Sequence, residues 1–402
     1  MKHQKMTQIL TIVLFVLPLV LGLILFLALP DHDFSAEENR SLKQLPKLTW
    51  KSLTERNPDK KFSSQMNEYF ADQFPVRDVF VGIKGVAELA LGKGGNNGVV
   101  LGKDGVLAVR WFDAYLNRTT RVEDTDYYAK DVIAAQTDAL NKLSADLAAQ
   151  GVDLSVIIPP RTLDVYGAQT GYPQEAADAL WQDIETGLDE RVSYLDLREV
   201  MQSATEAGEY VYYRTDHHWT TEGAYLAYGA LMTEWGREAD VLPRSSFAVE
   251  RVDGFYGTTW SRAGLKFVAP DTLEIWHFEG EDDYTVTDPE TNTVFSGFYN
   301  RDYLTKKDKY SVFLDGTHSV LTVTKNTDEQ RPTLLVFKDS FFNSMVPFLA
   351  QHYDLVVINL SLGISQPIAT YIEQYGCDGV LIVFNGENVI ENNAITSLTY
   401  QK

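Results

Sequence analysis

A long apolar run opens the chain. Between Ile9 and Leu29, only Thr11, Pro18 and Gly22 depart from a pattern of Leu, Val, Ile and Phe. A helix of this length spans about 30 Å, the thickness of a bilayer's hydrocarbon core. Lysines precede the run and aspartates follow it, so the positive-inside rule places the remaining chain outside the cytoplasm. Residues 1–30 therefore predict a transmembrane signal anchor.

A cleaved signal peptide is the alternative to this anchor. The apolar run is longer than the core of a typical signal peptide. Its exit also reads Leu-Ala-Leu-Pro instead of the Ala-x-Ala pattern of a cleavage site. Both features favour an uncleaved anchor, with a single-pass topology and an extracytoplasmic C-terminal domain at the cell membrane.

Residues 31–98 predict a juxtamembrane linker and helix. The polar stretch from 31 to about 60 contains scattered prolines and lysines, and residues 61–91 have apolar positions at helical spacing, interrupted by Pro75. The glycine-rich stretch 92–98 lacks the GK[ST] ending of a phosphate-binding loop, and no helix follows it. It is therefore interpreted as a hairpin-type turn.

From residue 99 to the C-terminus, apolar runs alternate with helical stretches. Helices are predicted at 126–150 and 176–188, and buried strands at Leu154–Ile158, Val192–Leu197, Thr333–Phe337, Leu355–Asn359 and Gly379–Phe384. This alternation predicts an α/β domain with a mainly parallel sheet flanked by helices. Between about 245 and 326 the pattern changes to short, aromatic-rich alternating runs, which indicate a β-rich insertion.

Composition and charge limit the classes of partner and site that the chain can have. The 402 residues are 45% hydrophobic and 23% charged, which is enough apolar material for a large globular core. The net charge of −21 argues against nucleic acid as a partner, because phosphate binding needs clustered Lys and Arg. Cys377 is the single cysteine, so an intrachain disulfide and a cysteine-based zinc site are excluded.

The first candidate for chemistry is an aspartate two residues before a histidine. Asp216 and His218 lie between a short aromatic run at Tyr210–Tyr213, predicted to be a strand, and a helix that begins near Thr221. Such a pair can supply a general base and the carboxylate that orients it. A helix N-cap is an alternative role for this segment. A metal site is another, but no second cluster with ligand spacing supports it, so no metal or other cofactor is predicted.

The second candidate is a serine at the end of a buried strand. Residues 334–338 run directly into Asp339 and Ser340, with a helix predicted to follow. Open α/β sheets bind their ligands at this carboxyl edge. Two further strand edges carry Asn359 and Asn385, and a nucleophile with nearby amide donors is what an oxyanion hole requires. An N-cap role for Asp339 or Ser340 is the alternative.

These blocks resemble the SGNH hydrolases. Residues 334–343 are similar to the strand-Gly-Asp-Ser block, with Lys338 where that block has Gly, and residues 356–363 and 380–388 resemble the second and third blocks, although the Gly of the second is displaced. The Asp-x-His pair precedes the serine, an order similar to that in alginate O-acetylation proteins. The bacterial DHHW family, named for the string at Asp216–Trp219, is the closest resemblance. Further similar stretches are Tyr69–Asp78, Gly102–Gly105, Phe255–Thr258 and Phe313–Gly316.

The resemblance implies an SGNH-like, flavodoxin-like fold for residues 99–402 and a catalytic triad. In it Ser340 is the nucleophile, His218 the base and Asp216 its orienting carboxylate, while Asp339 fixes the turn. Trp219 is either a pocket wall or core packing. His217 is a weaker candidate for the base, because related proteins use the histidine two positions after the aspartate. The oxyanion and substrate candidates are Asn385, Asn343, Trp219 and His217.

The implied function is a serine acyltransferase or esterase that acts on O-acetyl groups of a cell-envelope polysaccharide. A transferase would need a partner, such as a membrane acyltransferase, to supply acetyl groups outside the cytoplasm. The alternative is a non-catalytic envelope protein that keeps the fold for glycan binding or assembly. The loss of the Gly before Asp339 and the displaced Gly of the second block favour it, whereas the presence of Ser340, His218 and Asp216 argues against it. A metal phosphoesterase of the DHH superfamily is a third interpretation, but that family needs further Asp-rich metal motifs upstream, and none is found at a strand end here.

Overall fold

A computed structural model describes residues 2–35, 37, 40–110, 129–171, 175–295, 297–391 and 393–399. The chain forms two compact units. The first comprises Met1–Asn97 with Ser261–Lys266, and the second comprises Gly98–Trp260 with Phe267–Lys402. The first three residues of the helix predicted at 126–150 lie outside the described residues.

The first unit begins with helix α1, Lys2–Ala28, in which Met6–Ala28 is long and apolar enough to cross a membrane. The other elements of this unit are short strands and helices: β1 (Phe34–Ser35), β2 (Arg40–Ser41), α2 (Trp50–Thr54), α3 (Phe62–Asp72), α4 (Arg77–Ala90) and β3 (Gly95–Asn96). Helices α3 and α4 match the predicted helical stretch and its interruption at Pro75.

The linker after α1 is fixed to the end of α3 by polar contacts. Arg40 donates two hydrogen bonds to the carboxylate of Asp72, at 2.9 and 2.6 Å. These bonds, opposed by burial, keep the pKa of Asp72 below its usual range. Gln73 exchanges hydrogen bonds with the backbone of His32, at 2.9 Å each. The segment predicted as a linker is therefore held against the helix that follows it.

An eight-stranded sheet forms the centre of the second unit, with the order β11-β10-β12-β14-β13-β15-β6-β7. Strands β14, β13, β15, β6 and β7 are parallel, and β12, β10 and β11 extend one edge in antiparallel fashion. The strands are β6 (Asp153–Ile157), β7 (Ser193–Leu195), β10 (Tyr284–Asp288), β11 (Thr293–Phe295), β12 (Val320–Lys325), β13 (Thr333–Lys338), β14 (Asp354–Asn359) and β15 (Gly379–Val383).

Apolar cores cover both faces of the sheet, as expected for parallel strands buried on two sides. Along β13, Leu335 and Phe337 pack into one core and Leu334 and Val336 into the other. The helices of this unit are α5 (Ala129–Ala148), α6 (Thr162–Val165), α7 (Gly167–Thr170), α8 (Glu175–Gly187), α9 (Arg198–Glu206), α10 (Thr221–Glu234), the first half of α11 (Thr258–Ala263), α12 (Val346–Leu349), α13 (Ile368–Tyr375) and α14 (Gly386–Glu391).

The segment predicted as an insertion is rich in β structure. Strands β8 (Phe247–Phe255) and β9 (Asp271–Phe278) pair as an antiparallel hairpin, with an irregularity between Val252 and Phe255. The remaining three strands of the segment, β10 to β12, join the edge of the central sheet. Strands β4 (Val99–Leu101) and β5 (Leu107–Val109) form a separate antiparallel pair.

One local prediction is wrong, and the helix predicted after Asp339 is confirmed only in part. The run Tyr210–Tyr213 does not form a strand of a sheet, because the chain folds back on itself and makes one isolated bridge between Tyr212 and Trp219. The residues after Asp339 form a tight 3-10 turn, Ser340–Ser344, and α12 begins only at Val346. In both places polar side chains bond to the local backbone and replace the regular pattern.

Candidate active site

Ser340 lies at the carboxyl edge of β13, which has a parallel strand on each side, β14 and β15. Asp339 caps the turn that follows: its Oδ1 accepts a hydrogen bond from the N–H of Phe341 at 3.0 Å. Its Oδ2 accepts from the N–H of Asn385 and from the side chain of Asn388, both at 2.7 Å. Asp339 therefore ties the end of β13 to the end of β15 and fixes the backbone that presents Ser340.

His218 connects Ser340 to Asp216. Its Nε2 lies 2.6 Å from the Oγ of Ser340, and its Nδ1 lies 2.5 Å from Oδ1 of Asp216. A neutral imidazole with its proton on Nδ1 donates to Asp216 and leaves Nε2 free to accept the serine hydroxyl proton. The structure thus brings together the three residues predicted from the sequence, in the order carboxylate, imidazole, hydroxyl.

The turn that carries Asp216 and His218 is fixed on both sides. Tyr213 donates its N–H to the carbonyl of His218 at 3.2 Å. Thr215 donates its N–H and its hydroxyl to Asp271, at 2.8 and 2.5 Å. Thr220, not Asp216, caps α10 by accepting a hydrogen bond from the N–H of Gly223 at 3.2 Å. The carboxylate of Asp216 is therefore free to orient the imidazole.

Thr258 holds the far side of Asp216. Its N–H and its hydroxyl lie 2.7 and 3.0 Å from Oδ2 of Asp216. The same hydroxyl lies 2.7 Å from Nδ1 of His217. Burial alone would raise the pKa of Asp216, but His218, His217 and the N–H of Thr258 together keep it well below its usual range. Asp216 is therefore ionised, as an orienting carboxylate must be.

Aromatic rings cover both faces of His218. The ring of Tyr310 stacks on one face, with centroids 3.8 Å apart and planes within 10° of each other. The ring of His217 lies against His218 at 3.9 Å, tilted by 36°. The hydroxyl of Tyr310 donates to the carbonyl of Ser340 at 3.2 Å. Burial, followed by the charge that His218 carries when protonated, lowers the pKa of His217.

The two asparagines predicted as oxyanion donors bond to backbone carbonyls. The amide of Asn385 donates to Pro159 at 3.0 Å, and that of Asn343 donates to Gly316 at 3.2 Å. The N–H of Ser340 is the first of its turn, where a 3-10 helix leaves its donors free. Within the described part of the chain, no hydrogen bond occupies it.

Trp219 and Lys338 are buried beside the serine turn. Trp219 donates its indole N–H to the carbonyl of Phe341 at 2.9 Å and is completely buried, so of its two alternatives core packing is the one observed. The ammonium of Lys338 donates to Oδ1 of Asn343 at 2.7 Å. Burial lowers the pKa of Lys338 to about 8, against the opposing effect of Asp339.

Asp216, His217 and His218 also offer a donor set that fits a metal ion, with ligand atoms within 4.8 Å of one another. However, both ring nitrogens of His218 already make hydrogen bonds, to Asp216 and Ser340. A metal bound through His218 would have to replace one of these bonds. The observed arrangement is therefore the one that serine chemistry needs.

The fold and the position of this site define an SGNH-like α/β protein. A DHHW family protein from Eubacterium siraeum aligns over 67% of this chain and 89% of its own, with a TM-score of 0.56 and 22% identity. PatB1 from Bacillus cereus, solved with a sulfonyl adduct, aligns over 76% of this chain and 97% of its own, with a TM-score of 0.57 and 18% identity. At these identities, the likeness concerns the fold alone.

The family model for DHHW protein matches residues 182–359, which include Asp216, His218 and Ser340. The resemblance predicted from the sequence is thereby confirmed. A probable alginate O-acetylase AlgJ from Pseudomonas fluorescens is 26% identical over 171 residues. These residues make up 42% of this chain and 41% of the relative, so the chain spans less than half the length of that protein.

Proposed function

We propose that this protein is a membrane-anchored serine acyltransferase or esterase that acts on O-acetyl groups of an envelope polysaccharide outside the cytoplasm. The hydrogen-bonded series Ser340–His218–Asp216 carries the proposal. A serine hydroxyl in contact with an oriented imidazole is the arrangement of an activated nucleophile. Its place at the carboxyl edge of parallel strands is where open α/β sheets bind ligands.

In the proposed reaction, His218 Nε2 takes the hydroxyl proton as Ser340 Oγ attacks the carbonyl carbon of an acetyl ester. The ester oxygen leaves with that proton, and an acetyl-serine remains. A sugar hydroxyl or a water molecule then attacks the acetyl carbonyl and gives its proton to His218, which passes a proton to Ser340 Oγ as the bond between that oxygen and the acetyl group breaks. The free N–H of Ser340 is our candidate donor to the oxyanion, because it starts the turn beside the reacting oxygen.

The acceptor class and the topology come from separate observations. The relative named as a probable alginate O-acetylase supports a polysaccharide O-acetylation role. Helix α1, which is long and apolar enough to span a bilayer, supports anchoring at the membrane. Transfer outside the cytoplasm would require a partner that delivers acetyl groups there, for which a membrane acyltransferase is the proposed candidate.

Hydrolysis of p-nitrophenyl acetate by the full chain in detergent tests the nucleophile. Ser340→Ala should lower kcat/KM on the order of 10³-fold or more, and Asp216→Asn on the order of 10²-fold or more, because each breaks the hydrogen-bonded series. Ser361→Ala is the control, because Ser361 is an exposed serine just beyond the neighbouring strand β14. Equal rates for the wild type and Ser340→Ala would remove Ser340 as the nucleophile.

Added oligosaccharides separate transfer from hydrolysis. A transferase should move the acetyl group from Ser340 to a sugar hydroxyl, which mass spectrometry detects as a gain of one acetyl per acceptor. An esterase should remove such groups from an acetylated oligosaccharide. If neither reaction depends on Ser340, while the chain still binds the oligosaccharide, the non-catalytic glycan-binding role replaces this proposal.

A further inference from the structure

Helix α4 carries an exposed apolar stripe. Its members lie along one side of the helix and its N-cap, with Val79 and Phe80 adjacent and the other steps three residues long, and each is between 52% and 62% exposed: Val76, Val79, Phe80, Ile83 and Val86. Phe70 and Phe74, at the end of α3 and in the turn before α4, are exposed by 46% and 45%. A contiguous apolar patch of this kind marks a surface that binds a membrane or a partner.

The opposite side of α4 is packed within the first unit. Gly85 is buried, and a Cβ at this position would lie 2.9 Å from both the Asn96 amide and the Leu265 side chain. On the polar flank, Lys84 donates to the side-chain oxygens of Asn96 and Asn97 at 3.2 Å. Helix α4 is therefore amphipathic, with one face filled by protein and the apolar stripe uncovered.

The corner between α3 and α4 lies directly beside α1. The ring of Phe74 reaches within 3.7 Å of the position where a Cβ on Gly22 would lie. The ring of Phe26 lies 5.3 Å from that of Phe70 and 5.8 Å from that of Tyr69. Gly22 comes six residues before Ala28, the end of the apolar segment, so it lies about 9 Å below that end along the helix axis.

Polar contacts occur at the end of α1, as expected at a membrane exit. The hydroxyl of Tyr69 donates to the carboxylate of Asp31 at 3.1 Å. On the same end of α3, Asp72 and Gln73 bond to the linker that leaves α1. The aromatic rings at the corner between α3 and α4 thus lie level with apolar residues of α1. The polar groups at the end of α3 lie level with the point where α1 ends.

We infer that the α3–α4 hairpin is seated in the outer interface of the bilayer, with the stripe of α4 in contact with lipid. This inference rests on the proposed anchoring by α1. The stripe of α4 adjoins the surface of α1, which is apolar on all sides. The same surroundings should therefore cover both surfaces. Lipid covers a spanning helix, and amphipathic helices lie in the interface with their apolar side towards the acyl chains.

Fluorescence quenching in phosphatidylcholine nanodiscs tests this placement on the full chain. Single cysteines replace Phe80 on the stripe or Lys84 on the polar flank, in a Cys377→Ala background, and each is labelled with bimane. Both side chains are more than half exposed, so both positions accept the label. A lipid with a doxyl group near the top of its acyl chain is one quencher, and aqueous iodide is the other.

The F80C label should be quenched several-fold more by the doxyl lipid than the K84C label, and several-fold less by iodide. Equal iodide quenching at both positions would overturn the inference. Protection of F80C from both quenchers would also overturn it, because protein would then cover the stripe. Ser340-dependent hydrolysis and retention of the chain in membranes are measured on the same samples, so failure of the site or the anchor is distinguishable from failure of the hairpin.

Discussion

His218 has its ring nitrogens and both ring faces occupied by neighbouring side chains. Asp216 and Ser340 hold its edge, while Tyr310 and His217 cover its faces. An imidazole fixed in this way cannot rotate away from the serine without disturbing four neighbours. Such fixing lowers the entropic cost of reaching the reactive geometry.

Replacing Tyr310 should separate the effect of its ring from the effect of its hydroxyl. Tyr310→Leu removes the stacked ring and should lower kcat/KM for p-nitrophenyl acetate about 10- to 100-fold, because small misplacements of a catalytic group are costly. Tyr310→Phe keeps the ring and loses the hydroxyl with its hydrogen bonds to the Ser340 carbonyl and the Ser344 hydroxyl, so it should retain most of the activity. The rate of inactivation by a sulfonyl fluoride should follow the same order.

Phe313→Leu is the control for stability in this series. Phe313 is buried and packs against Tyr310 at 5.2 Å between ring centroids, but it makes no ring contact with His218 in the described structure. Phe313→Leu should lower the free energy of unfolding about as much as Tyr310→Leu does, with little loss of activity. Equal losses of activity in both variants would contradict a positioning role for Tyr310.

Gly257 allows the backbone next to Thr258 to approach Asp216. A Cβ on this residue would lie 2.2 Å from the Cβ of Asp216, which is impossible without a backbone shift. Gly257→Ala should therefore displace the N–H of Thr258 from Asp216. We expect kcat/KM to fall about 10-fold or more and the free energy of unfolding to fall by about 1–3 kcal/mol.

The matched control is Gly229→Ala in the middle of α10, where a Cβ meets no atom within 4 Å. Alanine has the higher helix propensity, so this change should leave activity intact and raise the free energy of unfolding by about 0.5–1 kcal/mol. Kinetics and urea titrations of the two variants provide the comparison. An active Gly257→Ala protein would show that the Thr258 bond to Asp216 is dispensable.

Local sequence predicted some residues of the site and missed others. Asp216, His218 and Ser340 were found because an Asp-x-His pair and a serine after a buried strand are local signals. Tyr310 was missed, because it lies in a 3-10 turn with no periodic pattern and reaches His218 only through the tertiary fold. The amides of Asn343 and Asn385 bond to carbonyls that are distant in the sequence, which no local pattern records.

Among the elements, strand β13 is unusual because its last residue is a buried lysine. Lys338 is 3% exposed, and the side chain of Asn343 is its hydrogen-bond partner. A buried ammonium is costly, and lysine responds to burial by losing its proton more readily. The protonation state of Lys338, at the strand end beside the candidate nucleophile, therefore depends on pH in the mildly alkaline range.

This lysine predicts a rise in stability with pH. Its pKa is about 8 in the folded chain, below the ordinary value of 10.5. Between these values the unfolded chain binds a proton that the folded chain does not, so raising the pH stabilises the fold. Relative to Lys338→Met, the free energy of unfolding of the wild type should rise by roughly 3 kcal/mol at most over that interval.

Urea titrations of both proteins at several pH values measure this difference. The methionine variant also leaves the Asn343 oxygen without its donor, but that cost does not depend on pH and cancels in the slope. Other groups titrate equally in the two proteins and cancel as well. A constant difference across the interval would show that Lys338 keeps its proton in the folded chain.

The alternation of strands and helices predicted the parallel part of the sheet, because buried parallel strands are continuous apolar runs. It did not predict where β10, β11 and β12 would pair. Their short alternating runs are compatible with a separate β module and with the edge of a larger sheet. Pairing of Val286 with Val323, and of Val323 with Leu355, depends on residues far apart in the chain.

For the whole molecule, the proposed anchor gives a direct prediction. An epitope tag at the amino end should remain on the full-length chain, and the chain should stay in the membrane pellet after alkaline carbonate washing. The reason is that Met6–Ala28 is long enough to span the hydrocarbon core. A shorter mature chain that lacks the tag and appears in the soluble fraction would instead establish a cleaved signal peptide.

The hydrogen bond between His218 and Ser340 joins residues 122 positions apart. A chain that enters its compartment amino end first displays its imidazole and carboxylate long before its serine. Strand β15, which flanks the serine strand, arrives later still. The hydrogen-bonded series of Ser340, His218 and Asp216 can therefore form only after most of the chain has entered the compartment. If the chain is exported as proposed, a nascent or stalled chain would carry no competent nucleophile while it is still crossing the membrane, and its reactivity would begin only where its acceptor is found.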